Sequence, residues 1–171
     1  MPKGLKPTSS QIMVSSLVTE TGANTFTQAK VDLQLNVLDR EVFVVTAVDL
    51  DPHMPDAQAG ANTETNGSLS STSRTTMGFI NDSNVLAAST LGIRAAGFVD
   101  GGVSFQQNHP DTPAGSDMDY VAIVATNDFF IQVEGAGNLV AKSLSTRVWG
   151  YRAVADAATF AALTQSELLS A

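Results

Sequence analysis

The stretch DREVFVVTAVDLDPHMPD, residues 39–56, sets Asp49, Asp51 and Asp56 around His53. Carboxylates at that density can ligate a hard cation such as calcium, or orient a histidine base. A second group, His109, Asp111, Asp117, Asp119 and Asp128, brackets the stretch NHPDTPAGSDMD, residues 108–119. The spacing D-x-D-P-H-M-P-D lacks the glycine and the closing glutamate that a helix–loop–helix calcium site needs. Asp49, Asp51 and Asp56 are therefore metal candidates only in a weak sense, and their best functional form is an interfacial calcium bridging subunits. The plainer reading is that carboxylates and prolines end a strand and solvate a loop.

Other reactive arrangements are poorly supplied. No G-x-S-x-G elbow occurs for a serine nucleophile. Both histidines adjoin prolines in loop-like sequence. There is no cysteine, which removes disulfides, thiolate nucleophiles and cysteine zinc sites. Paired carboxylates for glycoside hydrolysis need burial to separate their acidities, and Glu134 at a hairpin is the one plausible glutamate. GAGN and DGG match no phosphate-binding fingerprint and read as turns. Trp149 and Tyr151 could stack on a sugar or a base, or form a cross-strand or core pair. The expectation is no enzyme, no catalytic residue and no bound cofactor.

These residues must sit on a scaffold, and its class is legible. The chain has 171 residues, enough for one domain with its own core. Charged residues make up only 15%, against a usual fraction of roughly 25%. Ser, Thr, Asn, Gln and Ala take their place, giving a surface that is easy to desolvate and inclined to assembly. An extracellular β-domain can share that composition. The net charge is −8, and the nine basic residues are scattered without a stripe, which argues against phosphate-led nucleic-acid binding. No apolar run approaches the ~18 residues of a membrane span, and the N-terminus lacks the apolar core of a signal peptide.

Along the chain, residues 1–10, MPKGLKPTSS, read as a flexible or extended arm with Pro2 and Pro7 opposing regular structure. QIMVSSLVT (11–19) can form a first strand. In TQAKVDLQLNV (27–37), Ala29, Val31, Leu33, Leu35 and Val37 share one face, the period of a half-buried strand. EVFVVTAVDL (41–50) is apolar on both faces and should be covered on both. Residues 51–72, rich in Ser, Thr, Asn, Pro and Gly, read as a long loop, and strands are expected to resume at 73–80, 85–90, 92–99 and 102–107. YVAIVAT (120–126), FFIQVEG (129–135) and 139–154 complete the set. DAATFAALTQSELLS (156–170) changes to a helical period, with Asp156 as N-cap and Phe160, Leu163 and Leu168 as its apolar stripe. The expected fold is all-β: a single jelly-roll β-sandwich of about eight strands over 11–171, with an N-terminal arm and one short C-terminal helix.

This layout resembles the single jelly-roll coat proteins of icosahedral viruses. It is most similar to the small major capsid proteins of tailless, membrane-containing double-stranded DNA viruses of archaea and thermophilic bacteria. The arm MPKGLKPTSS, the strand chain LQLNV, EVFVVTAVDL, YVAIVAT and FFIQVEG, and the helix DAATFAALTQSELLS carry the resemblance. It covers most of the chain as an organisation, without a short diagnostic motif. It implies a structural role in the virion, self-assembly into a large homo-oligomer, contact with other capsid proteins or an internal membrane, and no sequence-specific nucleic-acid binding. Lys3 and Lys6 are too few for an arm that packages single-stranded genome. The alternative is a carbohydrate-binding or other ligand-binding β-sandwich, using Trp149, Tyr151 or the acidic loops.

Overall fold

Two antiparallel sheets carry the chain in the computed structural model, which describes residues 2–97, 105–109 and 118–169. The first sheet holds β1 (Leu5–Pro7), β2 (Ile12–Thr19), β4 (Glu41–Pro52), β8 (Ala122–Val124) and β10 (Ser143–Ala155). The second holds β3 (Thr27–Asp32), β5 (Thr63–Ser70), β6 (Val85–Arg94), β7 (Phe105–His109) and β9 (Asp128–Ala136). Helix α1 (Ala157–Leu169) follows β10.

The pairing pattern is that of a folded ribbon. β2 pairs with β10, β3 with β9, β4 with β8, and β5 with β6, all antiparallel. Successive pairs alternate between the two sheets, which is the double Greek key of a jelly roll. β7 extends the second sheet beside β6, and β1 continues the edge of β2 along β10.

Strand β4 shows why its sequence is apolar on both sides. Phe43 and Val45 face the core between the sheets, with Leu69, Ile131, Val133 and Val148. Val42 and Val44 face the opposite way, into a second cluster with Leu5, Ala153 and Ala155, under Phe160 and Leu163 of α1. The double covering ends there: Ala47, Asp49 and Asp51 are exposed on the outer face.

The sequence expectations needed correcting in several places. The stretch 51–72 is not one loop, because β5 lies inside it, between β9 and β6. Its small polar residues resemble turn formers but here fill the centre of a sheet. Gly67 is required: a Cβ there would lie 2.6 Å from Cδ1 of Leu144 in the facing sheet. Conversely, 73–80 is not a strand but part of the β5–β6 connection. That connection is fixed by Arg74, which donates to Asp82 (2.9 Å) and Asn84 (2.7 Å). Val85–Arg94 is a single strand, β6, without the expected break near Leu91, and the chain leaves the sheet at 95–97.

β3 stops at Asp32, although Leu33 and Leu35 stay buried. The amide of Leu35 donates to Asn127 Oδ1, and Arg152 donates to the carbonyls of Leu33 and Gln34. Those bonds replace a ladder, Gln34 turns to φ +53°, and Val37 leaves the apolar face for solvent.

The N-terminal arm takes the extended of its two expected forms and is pinned: Leu5–Pro7 pairs with Ala153–Ala155, and the Asp156 amide donates to the Gly4 carbonyl. Asp156 does cap α1, accepting from the Thr159 amide at 2.7 Å. Phe160 and Leu163 pack inward, but the third inward position belongs to Glu167, and Leu168 is exposed.

Candidate functional site

The three candidate aspartates are not brought together. Asp49 and Asp51 are two residues apart on β4, so both side chains leave its outer face. Their cross-strand neighbours are Arg147 and Ser145. With Ser15 and Leu17 of β2 these residues line an open groove of about 470 Å³. A cation placed there would meet two carboxylates and a guanidinium, short of the six to eight oxygens calcium takes.

Asp56 lies in the β4–β5 connection and is fully engaged. Its Oδ1 accepts from Lys142 Nζ at 2.6 Å, and its Oδ2 accepts from the amides of Leu139 (2.8 Å) and Val140 (3.2 Å). The Lys142 hydrogen bond, followed by that from Leu139, holds its carboxyl below the usual carboxylate range. Asp56 is thus a brace for the β9–β10 turn. Among the described residues no group of three or more His, Asp or Glu side chains converges on a common point.

His53 is exposed, and its Nε2 lies 3.4 Å from Ser145 Oγ. That contact is too long for a nucleophile–base hydrogen bond, and among the described residues no carboxylate accepts from the other ring nitrogen. In the second group, Asp111 and Asp117 lie outside the described residues, as do most of 108–119 and the turn DGG. Asp119 is exposed, and Asp128 lies 3.6 Å from Lys30 Nζ. Trp149 is half-buried on the outer face of the first sheet, with the Arg147 guanidinium 5.8 Å from its ring centre. Tyr151 packs against the cluster beneath α1.

What the fold does gather is apolar surface. Among the described residues, and besides Ile12–Met13 on β2, four adjacent pairs of large apolar residues face solvent: Val37–Leu38, Phe79–Ile80, Leu139–Val140 and Leu168–Leu169. The first two lie on connections at one end of the sandwich, and the third is at the other end beside Met54, also exposed. Helix α1 is inverted in polarity. Its one charged residue, Glu167, is buried and accepts from the amides of Ala125 (2.9 Å) and Thr126 (3.0 Å). Leu168 and Leu169 are 69% and 79% exposed. On β2, Met13 and Leu17 stand on the outer face.

Sequence reasoning missed these positions because each is a short apolar run inside a connection or at an element end. QIMVSSLVT did carry a signal: Met13 and Leu17 alternate with Ile12, Val14 and Val18, so both faces are apolar, as in β4.

No described helix is long and apolar enough to cross a membrane. No protein-family model, curated protein or solved structure matches this chain.

Proposed function

We propose that this chain is a coat subunit, a viral capsid structural protein that self-assembles through the flanks of its jelly-roll body into an icosahedral shell and catalyses no reaction. The observation that carries the reading is the set of exposed apolar dipeptides around the sandwich. Isolated exposed leucines are ordinary on a monomer, but adjacent pairs at both ends and on the helix are not. Each such side chain gains about 1.5–3 kcal/mol when fully covered, and neighbouring subunits supply that cover. The low charge supports the same conclusion, since interface cores are depleted of charged residues.

Under this reading the chain is a virion component whose partners are copies of itself, other capsid proteins and an internal membrane. With a net charge of −8 and no basic stripe, it does not hold the genome directly. Light scattering coupled to size-exclusion chromatography, with electron microscopy of the heavy fraction, tests the proposal. Rings, lattices or closed particles are expected. A monomer at high concentration across salt and calcium conditions would overturn it.

A second reading, a glycan-binding sandwich, draws on Trp149 and Arg147 beside the groove of Asp49 and Asp51. It requires glycan binding that Trp149→Ala abolishes while the circular dichroism spectrum is kept. A glycan array without binding removes it.

A further inference from the structure

One strand edge lacks the protection that free edges normally carry. Among the described residues β2 pairs with β10 alone, so its other side presents unpaired backbone amides and carbonyls. Soluble proteins guard such edges with charge, proline or shortness. Three of the other four outer strands follow that rule, and the fourth, β7, is shorter than β2, with five residues. β3 carries exposed Lys30 and Asp32, β8 has three residues, and β1 has three and ends in Pro7. β2 has eight residues, IMVSSLVT, with no charge and no proline. Its Met13 and Leu17 are 54% and 60% exposed, with Ser15 between them on the same face.

The strand is also self-complementary. Directly opposed residues of an antiparallel pair point to the same face. Two copies related by a two-fold axis through the sheet must therefore place that axis on a residue, not between residues. With the axis on Ser15, Met13 of each copy falls opposite Leu17 of the other, and Val14 falls opposite Ser16. Two apolar pairs then flank a small central residue. An axis on Ser16 would set Ile12 against Glu20, and one on Val14 would set Leu17 against Gln11. Like charges opposed across strands destabilise, and two copies of a chain with net charge −8 need a contact that brings none. β2 is such a contact.

We propose that β2 is a self-pairing edge: two copies join antiparallel about a two-fold axis at Ser15, extending the first sheet from one subunit into the next. The proposal rests on the reading of the chain as a self-assembling subunit and supplies its two-fold contact.

The chain has no cysteine, so single-cysteine variants report the pairing without background. In Ser15→Cys the two thiols meet at the axis on Cα atoms ~4.5–5.5 Å apart, within disulfide reach. In Met13→Cys the two thiols are separated by four residues, ~13 Å along the strand. On mild oxidation, non-reducing electrophoresis should show Ser15→Cys as a covalent dimer, on the order of tenfold more than Met13→Cys. Mixing Met13→Cys with Leu17→Cys should give the crossed dimer. Met13→Lys with Leu17→Lys should abolish association of the cysteine-free chain without lowering its melting temperature.

If Ser15→Cys does not cross-link while the wild type forms heavy particles, the β2 contact is wrong and the shell reading stands. Cross-linking of Ser15→Cys without any larger species supports the contact and counts against the shell. Equal cross-linking at Ser15 and Met13 overturns the register. A wild type that stays monomeric, with no cross-link, overturns both.

Discussion

Nζ of Lys142 lies 2.6 Å from Oδ1 of Asp56, joining the β4–β5 and β9–β10 connections at one end of the sandwich. The same carboxylate holds the amides of Leu139 and Val140, so one side chain sets the turn that displays an exposed apolar pair. The Lys142 and Leu139 hydrogen bonds lower the Asp56 carboxyl in the fold. The stability this contributes is present above the unfolded carboxylate value of about 3.9 and is lost as pH falls through the lower folded value. We expect Asp56→Asn to lower the melting temperature at pH 7 and to speed amide exchange at Leu139 and Val140. The difference from wild type should shrink on acidification through that window. A difference that does not change with pH would mean that the ionised carboxylate is not what holds the turn.

Glu167 ties α1 to the β8–β9 connection through the amides of Ala125 and Thr126. Burial is the main cause that raises its carboxyl, with the two amides acting in the opposite sense. A raised folded value means the fold binds the proton more readily than the unfolded chain. This contribution therefore weakens stability as pH rises from about 4.3 through the folded value. Glu167→Ala leaves two amides without their acceptor, and we expect a loss of about 2 kcal/mol. Urea unfolding reads that loss, and hydrogen exchange should place it at Ala125, Thr126 and α1. A change below ~0.5 kcal/mol would show that the helix is held by Phe160 and Leu163 alone.

Gly67 and Leu144 meet across the core, one from each sheet. A methyl group at Gly67 must displace Leu144, which is fully buried. We expect Gly67→Ala to cost about 1–3 kcal/mol. Pairing it with Leu144→Val, which removes one methylene from the contact, should restore part of the loss. A double variant that is simply the sum of the two single losses would show that the contact is not the cause.

The elements that were legible in sequence are those whose pattern is set by burial against two well-defined layers. Ala29 and Val31 alternate because β3 has one dry face, and Val42 to Val45 are continuous because β4 has two. β5 was illegible because its neighbours in the second sheet supply the bulk. Ser68 and Ser70 can be small and polar in the middle of a sheet since Gln132 bonds both, at 2.6 and 2.7 Å. Nothing local in the sequence marks Glu167 as buried, since the amides it accepts from lie some forty residues away. The aspartates near His53 were close along the chain and are separated in space because β4 continues to Pro52 before turning. The edge of β2 could not be read as an edge until the strand order was known.

Val44 and Asp51 belong to one strand and separate its two roles. Val44 is fully buried and faces the cluster beneath α1, while Asp51 is exposed on the same sheet face, seven residues further on. A carboxylate at Val44 would be enclosed by Val42, Ala153 and Ala155 with no cation beside it, and an unpaired buried charge is among the most costly changes a core can suffer. Val44→Asp should therefore abolish folding, with loss of the β-sheet circular dichroism signal. Asp51→Asn exchanges one exposed polar group for another and should shift stability by less than about 0.5 kcal/mol. It should also leave particle formation unchanged in calcium and in chelator. If Asp51→Asn instead blocks assembly in calcium while the subunit stays folded, the groove formed by Asp49, Asp51 and Arg147 binds an ion that the geometry of one subunit does not complete. The carboxylates of a neighbouring copy would then have to supply the remaining oxygens.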